Sequence, residues 1–431
     1  MRWRLCSTAT TRTGSRNRCV KHLLDIDLLR EEIGKRSDLI AESLQHTKSG
    51  LDTAIRTMQS TTFDLEAMRS SLKTKGETSF AVPTDDHPND PRGLSGFRVE
   101  YAWCEETLRG KLVISVDGSQ IYPEGHLRFA CAVVNVGSAT YLYNNPVEYE
   151  GTSRPRLLVA DDLLTNDGSM QRMLSKEALD LERLKAEVQH ASALLESAKP
   201  RESFLFMDGP LIYSFLEPRT EVTKRRVVET LLKLLELCDE KKVYIVGYLA
   251  ASRSADWVNS LRYTVLCDRI PTACKQCIAD CRGIKNVACY PLIGITDASI
   301  YGSVLAPGER SSAFTVQRKI LDFYKSSTCD YRKRISATYI KLANGEVVRL
   351  EFPYFEWMSD EDLERIHAVT LAQSILGFGY PYVLIRAHEK AVITMPEREG
   401  FYDILDRYLT TKFHMNLVES SKRKLKRESI I

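Results

Sequence analysis

Two short apolar runs in this 431-residue chain end in the same way. Leu112-Val113-Ile114-Ser115-Val116 leads into Asp117-Gly118-Ser119, and Phe204-Leu205-Phe206-Met207 leads into Asp208-Gly209-Pro210. Each run has the length and composition of a buried strand. Each aspartate is therefore expected at a strand's carboxyl end, the rim where open α/β sheets bind ligands. The glycine that follows permits a sharp turn and close approach of backbone to a ligand. A single Asp-Gly is ordinary turn chemistry; two of them on strands of one α/β domain favour a shared site. Carboxylates brought together repel, and one is driven neutral unless a cation joins them. Magnesium and manganese are hard divalent cations that take oxygen ligands. Such ions activate water and stabilise the oxygen leaving a phosphodiester. The residues alone thus point to metal-assisted phosphoryl hydrolysis.

A third acid is expected from the helix between these strands. Residues 175–198 read as a helix with an apolar stripe of Leu181, Leu184, Val188, Ala191 and Leu195. At about 100° per residue, Glu187 falls on the inward flank of that stripe and Glu182 points to solvent. Glu187 is the first choice and Asp180 the second. On geometry alone, a solvated helix glutamate is an equally good reading of Glu187.

The elements around these acids alternate between strand and helix. From 21 to 75 the pattern is helical, with Leu24, Leu28, Leu29, Ile33, Leu39, Ile40 and Leu44 recurring at spacings of three to five, and a second helix is expected across 51–72. Such a polar helical pair packs against a partner or caps a domain. Residues 76–96, with Pro83, Asp85, Asp86, Pro88 and Pro91, read as a loop or linker. Strands are expected at 129–136, 140–144 and 243–248, and helices at 223–238, 361–376 and 398–412. A hairpin at 337–342 and 347–352 turns on Asn344-Gly345. The short apolar stretch 382–385 reads as a strand. The fold class is mixed α/β. The expected division is a basic leader at 1–20, a helical extension and linker at 21–96, a catalytic domain at 97–415, and a basic tail at 416–431. The tail's Lys422, Arg423, Lys424, Lys426 and Arg427 suit a solvated helix end or weak phosphate contact.

Composition narrows the class. Apolar residues are 43%, charged residues 27% and the net charge +3, so a nucleic-acid surface must come from local basic patches. No run approaches the roughly 20 apolar residues of a membrane span. The first 24 residues carry Arg2, Arg4, Arg12, Arg16, Arg18 and Lys21 without an acid, but Thr, Ser, Gly and Asn interrupt any amphipathic pattern. The cytoplasm is the expected location, which keeps the eleven cysteines reduced. Cys274, Cys277 and Cys281 have spacings open to a structural zinc or iron–sulfur site, though not the paired zinc-knuckle pattern; reduced loop thiols are the other reading.

From about residue 100 to 410 the chain resembles the NurA nucleases. The resemblance rests on the two strand-Asp-Gly segments, Arg183 followed by Glu187, Gly247-Tyr248, Ser252-Arg253-Ser254 and Pro307-Gly308-Glu309-Arg310-Ser311. It continues through Arg349, Glu351 and Pro353, His367 and Gln373, and Gly379-Tyr380-Pro381 leading to Ala387-His388-Glu389-Lys390-Ala391. It implies an RNase H-like core, manganese-dependent 5′-to-3′ exonuclease and single-strand endonuclease activity on DNA, and a homodimer. It also implies partnership with the hexameric HerA ATPase in DNA end resection, repair or phage defence. By position, Asp117, Glu187, Asp208 and His388 would hold Mn2+ or Mg2+, and Tyr380 would complete the site. A histidine there can bind a metal or handle the attacking water's proton. Arg253, Arg310 and Lys390 become candidate DNA contacts. Leu249-Ala250-Ala251 stands where archaeal members often carry a lysine, a departure that Arg253 would make good. A catalytically inactive DNA-binding or scaffolding subunit is the alternative; the presence of both aspartates, Glu187 and His388 weighs against it.

Overall fold

The structure is a computed structural model that describes residues 25–74, 79–85, 90–123, 131–159, 162, 164–166, 171–173, 176–266, 290–326, 329–415 and 417. The expected leader, the cysteines from 267 to 289 and nearly all of the basic tail lie outside these residues. By its internal contacts the chain divides into residues 1–49 and 50–431.

In the smaller unit, α1 (Ile26–Lys35) begins at Asp25, whose side chain accepts the N–H groups of Asp27 and Leu28. Such a cap satisfies donors that a helix start leaves unpaired. The apolar side chains Ile26, Leu28, Leu29, Ile33, Leu39, Ile40 and Leu44 are all exposed. Helix α2 (Ser37–Ser60) crosses the division. The second expected helix is instead broken after Ser60, and α3 (Leu65–Thr74) restarts at Asp64, which accepts the N–H groups of Glu66 and Ala67. Met58, Phe63, Met68 and Leu72 are buried in the main core. The expected linker contributes β1 (Phe80–Pro83), because its four residues are all buried and pair with a neighbouring strand.

The remaining elements are α4 (Tyr101–Leu108), β2 (Leu112–Ile121), β3 (Cys131–Leu142), β4 (Glu148–Val159), β5 (Leu164–Asn166), β6 (Gln171–Met173), α5 (Lys176–Leu194), β7 (Ser203–Asp208), α6 (Glu221–Lys241) and β8 (Tyr244–Leu249). They continue with α7 (Asp256–Leu261), α8 (Asp297–Val304), β9 (Phe314–Gln317), β10 (Ile335–Lys341), β11 (Val347–Pro353), α9 (Asp360–Leu376), α10 (Tyr382–Ala391) and α11 (Met395–Phe413). Among the described residues, nine strands form one mixed sheet in the order β1-β9-β10-β11-β8-β7-β2-β3-β4. Strands β2, β3 and β4 form an antiparallel meander, and β7 and β8 then add parallel to β2. That arrangement is RNase H-like. The strands β2, β7 and β8 are buried on both faces, which explains their unbroken apolar runs. Edge strand β4 is largely exposed and carries Arg154, Pro155 and Arg156, which discourage further strand pairing. Among the described residues, no helix is long and apolar enough to cross a membrane.

Two further sequence expectations change here. Strand β2 does not stop at Val116: Asp117 pairs with Gly137 and Gly118 with Val136, so the long β3 ladder holds the Asp-Gly extended. Residues 382–385 are the start of α10, because Val383, Leu384, Ala387 and Ala391 form a buried helical stripe longer than that window.

A buried ion network ties the antiparallel half of the sheet to the parallel half. The Arg349 guanidinium on β11 donates to Asp256 Oδ2, to the Tyr339 hydroxyl and to Glu351 Oε1, each at 2.9 Å. The second Glu351 oxygen accepts the N–H groups of Leu211 and Ile212 at 2.9 Å. Asp297 accepts the N–H groups of Asp256, Trp257 and Val258 at the start of α7. Burial, then the adjacent Asp256 charge, push the Asp297 carboxyl up to about 6. Arg349→Met leaves these acids buried with their central cation gone. A loss of about 3–5 kcal/mol is expected, measured as a lower urea midpoint; an unchanged midpoint would remove Arg349 from this role.

Candidate active site

The register of β2 against β7 ends at Val116 opposite Met207. Asp117 and Asp208 are the next residues on these neighbouring parallel strands, so both reach the same rim of the sheet. Asp117 Oδ1 accepts the Gly118 N–H at 2.7 Å, and Asp117 Oδ2 lies 2.7 Å from His388 Nδ1. The Tyr380 hydroxyl donates to Asp208 Oδ1 at 2.7 Å. Tyr380 and His388 flank the start and the last turn of α10, and thus meet the two aspartates from 172 and 271 residues away.

Helix α10 is held against the sheet at both ends. At its start the Val383 N–H donates to Gln373 Oε1 at 3.0 Å, and Gln373 in turn donates to the Tyr143 hydroxyl at 2.7 Å. At its end the Ala391 carbonyl accepts from Asn135 Nδ2 at 2.7 Å and from Ser119 Oγ at 2.5 Å. Gly137 lets the helix settle: a Cβ there would lie 2.2 Å from Ala391 N and 2.6 Å from Ala387 O. Sequence reasoning missed Asn135 and Gly137. The available signal was Asn135 as the one polar residue in Cys131-Ala132-Val133-Val134-Asn135-Val136.

Glu187 comes to β2 from the other face, where Gly118 points because alternate residues face opposite sides. A Cβ on Gly118 would stand 2.3 Å from Glu187 Oε1, so glycine makes this approach possible. Glu187 pairs with Arg183, which also donates to the Gly118 carbonyl at 3.3 Å. Burial pushes the Glu187 carboxyl up to about 7, with the Asp117 and Asp208 charges adding and Arg183 opposing. Asp208 is also raised, first by the protein packed around it and further by Asp117, against the Tyr380 hydrogen bond. A cleft of about 510 Å³ runs along this face, lined by Gln120, Asp180, Arg183, Glu187, Asp208 and Phe215 among others. Asp180, the second-choice acid, accepts from Gln120 and Tyr122 at 2.7 and 2.6 Å.

Among the described residues, no three His, Cys, Asp or Glu side chains are gathered closely enough to hold a metal ion. Each acid instead rests on a neighbour: Asp117 on His388, Asp208 on Tyr380, Glu187 on Arg183. The donor chemistry nonetheless suits a hard divalent cation. After burial, the Asp117 and Asp208 charges raise Glu187 and the Asp117 charge raises Asp208, negative charge that a cation would neutralise.

The remaining candidates separate. Arg253 is exposed in the loop after β8 and lines a second cleft with Pro210 and Phe215. Lys390 is half-buried on α10. Arg310 corrects the sequence reading, since its side chain is 4% exposed, pairs with Glu364 and donates to the Ser311 carbonyl at 2.9 Å. Cys274, Cys277 and Cys281 lie outside the described residues.

The profile of the NurA domain family matches residues 111–393. A crystal structure of NurA bound to dAMP and manganese is 11% identical, covering 79% of this chain and 94% of that one at a TM-score of 0.37. A crystal structure of NurA with manganese is 10% identical, covering 86% of this chain and 98% of that one at a TM-score of 0.39. An N-terminal RNase H domain from Mycobacterium tuberculosis is 14% identical, covering 31% of this chain and 78% of that one at a TM-score of 0.16. The comparison with curated proteins found no match.

The raised Glu187 carboxyl sets a pH dependence. Between its ordinary value of 4.5 and about 7, the unfolded chain has released this proton while the folded chain keeps it. Its contribution to stability therefore falls as pH rises through that window and stays low above it. Glu187→Gln should gain stability relative to the native chain between about pH 4 and about pH 8, the two sides of this window. Urea midpoints at both values, without metal, provide the check; a difference independent of pH contradicts it.

Proposed function

The chain belongs to the NurA family, and from that premise we propose that it is a metal-dependent deoxyribonuclease cutting DNA phosphodiester bonds. The finer reading is 5′-to-3′ exonuclease and single-strand endonuclease activity with Mn2+ or Mg2+. The observation that carries the proposal is the convergence of Asp117, Asp208, Tyr380 and His388 from separate segments onto one rim, with Glu187 reaching the same strand. Convergence of this kind is not needed for a scaffold.

Asp117, Glu187 and Asp208 would hold the cation, with His388 as a further ligand or as a proton carrier. When bound, a divalent ion supplies a water of lowered pKa and neutralises charge on the phosphate. The chain's own groups do the rest. With Nδ1 engaged by Asp117, His388 has Nε2 available to take a proton from water or give one to a leaving oxygen. Tyr380 orients the Asp208 carboxylate by donating to Oδ1. Glu187 must surrender its proton to act as a ligand, so cation binding should strengthen as pH rises through about 7. Arg253 and Lys390 are proposed to contact DNA phosphates, contributions that weaken with salt.

Asp117→Ala and Asp208→Ala should each abolish cleavage while the fold, followed by melting temperature, is kept. His388→Ala should lower the rate by about two orders of magnitude, the usual scale for losing an acid–base group. Near-native cleavage in either aspartate variant would remove the site as drawn. A catalytically inactive DNA-binding or scaffolding subunit predicts no metal-dependent cleavage by the native chain, with or without an ATPase.

The same reading includes a homodimer that works with a HerA-type hexameric ATPase. It is supported by the seven exposed apolar side chains between Ile26 and Leu44, a density that marks interaction surfaces. Light scattering at micromolar concentration should give twice the chain mass, and the ATPase should be retained in a pull-down. A monomer that retains no ATPase contradicts this assembly.

A further inference from the structure

Helix α9 ends in an unusual way immediately before Tyr380. The Gly379 N–H donates to the Ser374 carbonyl at 2.8 Å, and the Phe378 N–H to the Ile375 carbonyl at 3.1 Å. This is the Schellman arrangement, whose left-handed residue is ordinarily glycine. Here that residue is Phe378, at φ 56°, and its side chain is 88% exposed. A bulky residue adopts this backbone only at a cost, and an exposed ring recovers little of it by packing. Strain and exposure together point to a role outside the fold.

Phe378 lines a cavity of about 280 Å³ with Tyr101, Asn344, Ile375 and Gly379. Tyr101 is itself 57% exposed. Asn344 uses its Oδ1 to accept the Glu346 N–H at 3.0 Å, while its Nδ2 approaches Gly379, where a Cβ would lie 2.5 Å away. The cavity's place in the sheet follows from the register. Strand β11 runs antiparallel to β8 with Arg349 opposite Leu249, so the Asn344-Gly345 turn extends past the carboxyl end of β8. Strands β2, β7 and β8 are parallel, so this is the rim that carries Asp117 and Asp208. Tyr380 joins the two places: it follows the cavity-lining Gly379, packs edge-on to Tyr248 at 5.0 Å, and donates to Asp208.

We infer that this cavity is a nucleobase subsite, in which one unpaired base of a single DNA strand stacks on Phe378 and Tyr101 beside the Asn344 carboxamide. The inference rests on the nuclease reading, since the strand is the one whose phosphate lies at Asp117 and Asp208. Two aromatic faces and one amide, with no ionic group among the lining residues, suit a neutral flat ring. Stacking of this kind is tolerant of base identity. The cavity's size, at the lower end for ligand pockets, suits one base.

The test uses the full chain and a short labelled oligodeoxythymidine, with calcium replacing manganese, and reads affinity by fluorescence anisotropy. Phe378→Gly should weaken binding about tenfold, the scale of losing one stacked base, with a melting temperature equal to or above the native one. Phe378→Trp should keep native affinity, and Tyr101→Ala should lose affinity as Phe378→Gly does. Unchanged affinity in Phe378→Gly, or equal loss in Phe378→Trp, overturns the subsite and leaves the cavity to a protein contact. Manganese-dependent cleavage followed in parallel separates the two readings. A native chain that never cleaves removes the nuclease reading; native cleavage with unchanged Phe378→Gly affinity removes the subsite alone.

Discussion

Asp256, Glu351 and Asp297 lie buried in one region of the protein, and so much enclosed negative charge is tolerable because the Arg349 guanidinium sits among them. Arg318 adds a second cation to Asp256 at 2.5 Å. The consequence reaches the rim that carries Asp208 through Glu351. One of its oxygens is held by Arg349, and the other accepts two N–H groups of the chain just after Asp208. The Tyr324 hydroxyl fastens the same loop, donating to the Leu211 carbonyl and accepting the Tyr213 N–H. An antiparallel hairpin far along the chain thus decides where the strand carrying Asp208 turns.

The carboxylates at the rim have a different electrostatic situation. Among the described residues, Arg183 pairs with Glu187 from one side, and no salt bridge joins an arginine to Asp117 or Asp208. Glu187 and Asp208 are raised, first by burial and further by neighbouring negative charge, whereas Glu364, beside His367 and Arg310, is lowered to about 2. The fold neutralises one acidic cluster internally and leaves the other only partly compensated. Two glycines bring groups to this rim. Gly118 admits Glu187 to one face of the sheet, and Gly137 admits the His388 helix to the other.

Local sequence carried much of this. The runs ending in Asp117 and Asp208 are legible because strands buried on both faces need unbroken apolar residues. The Asn344-Gly345 hairpin is legible because few dipeptides accept that turn. Glu187 was placed on the inward flank of its helix by periodicity, and it is buried. The same local reading failed where a distant partner decided the outcome. Asp117-Gly118 looks like a turn and is held extended by β3; residues 382–385 look like a strand and are helical; Arg310 looks like a phosphate contact and is spent on Glu364.

What the sequence by itself determined is therefore the set of reactive groups and the elements that carry them, since strand and helix periodicity are properties of neighbouring residues. Only the tertiary structure decided which of those groups meet. His388 finds Asp117 across 271 residues, and Tyr380 finds Asp208 across 172, because α10 is seated on β2 and β3 by Gly137, Asn135 and Gln373. Asn135 stands out locally only as a lone polar residue in an apolar run, and nothing in the neighbourhood of Gly137 or Gln373 says which segment each will meet. Their effect depends on close backbone approach and on buried hydrogen bonds between segments, and contacts of that kind leave no periodic trace in the chain.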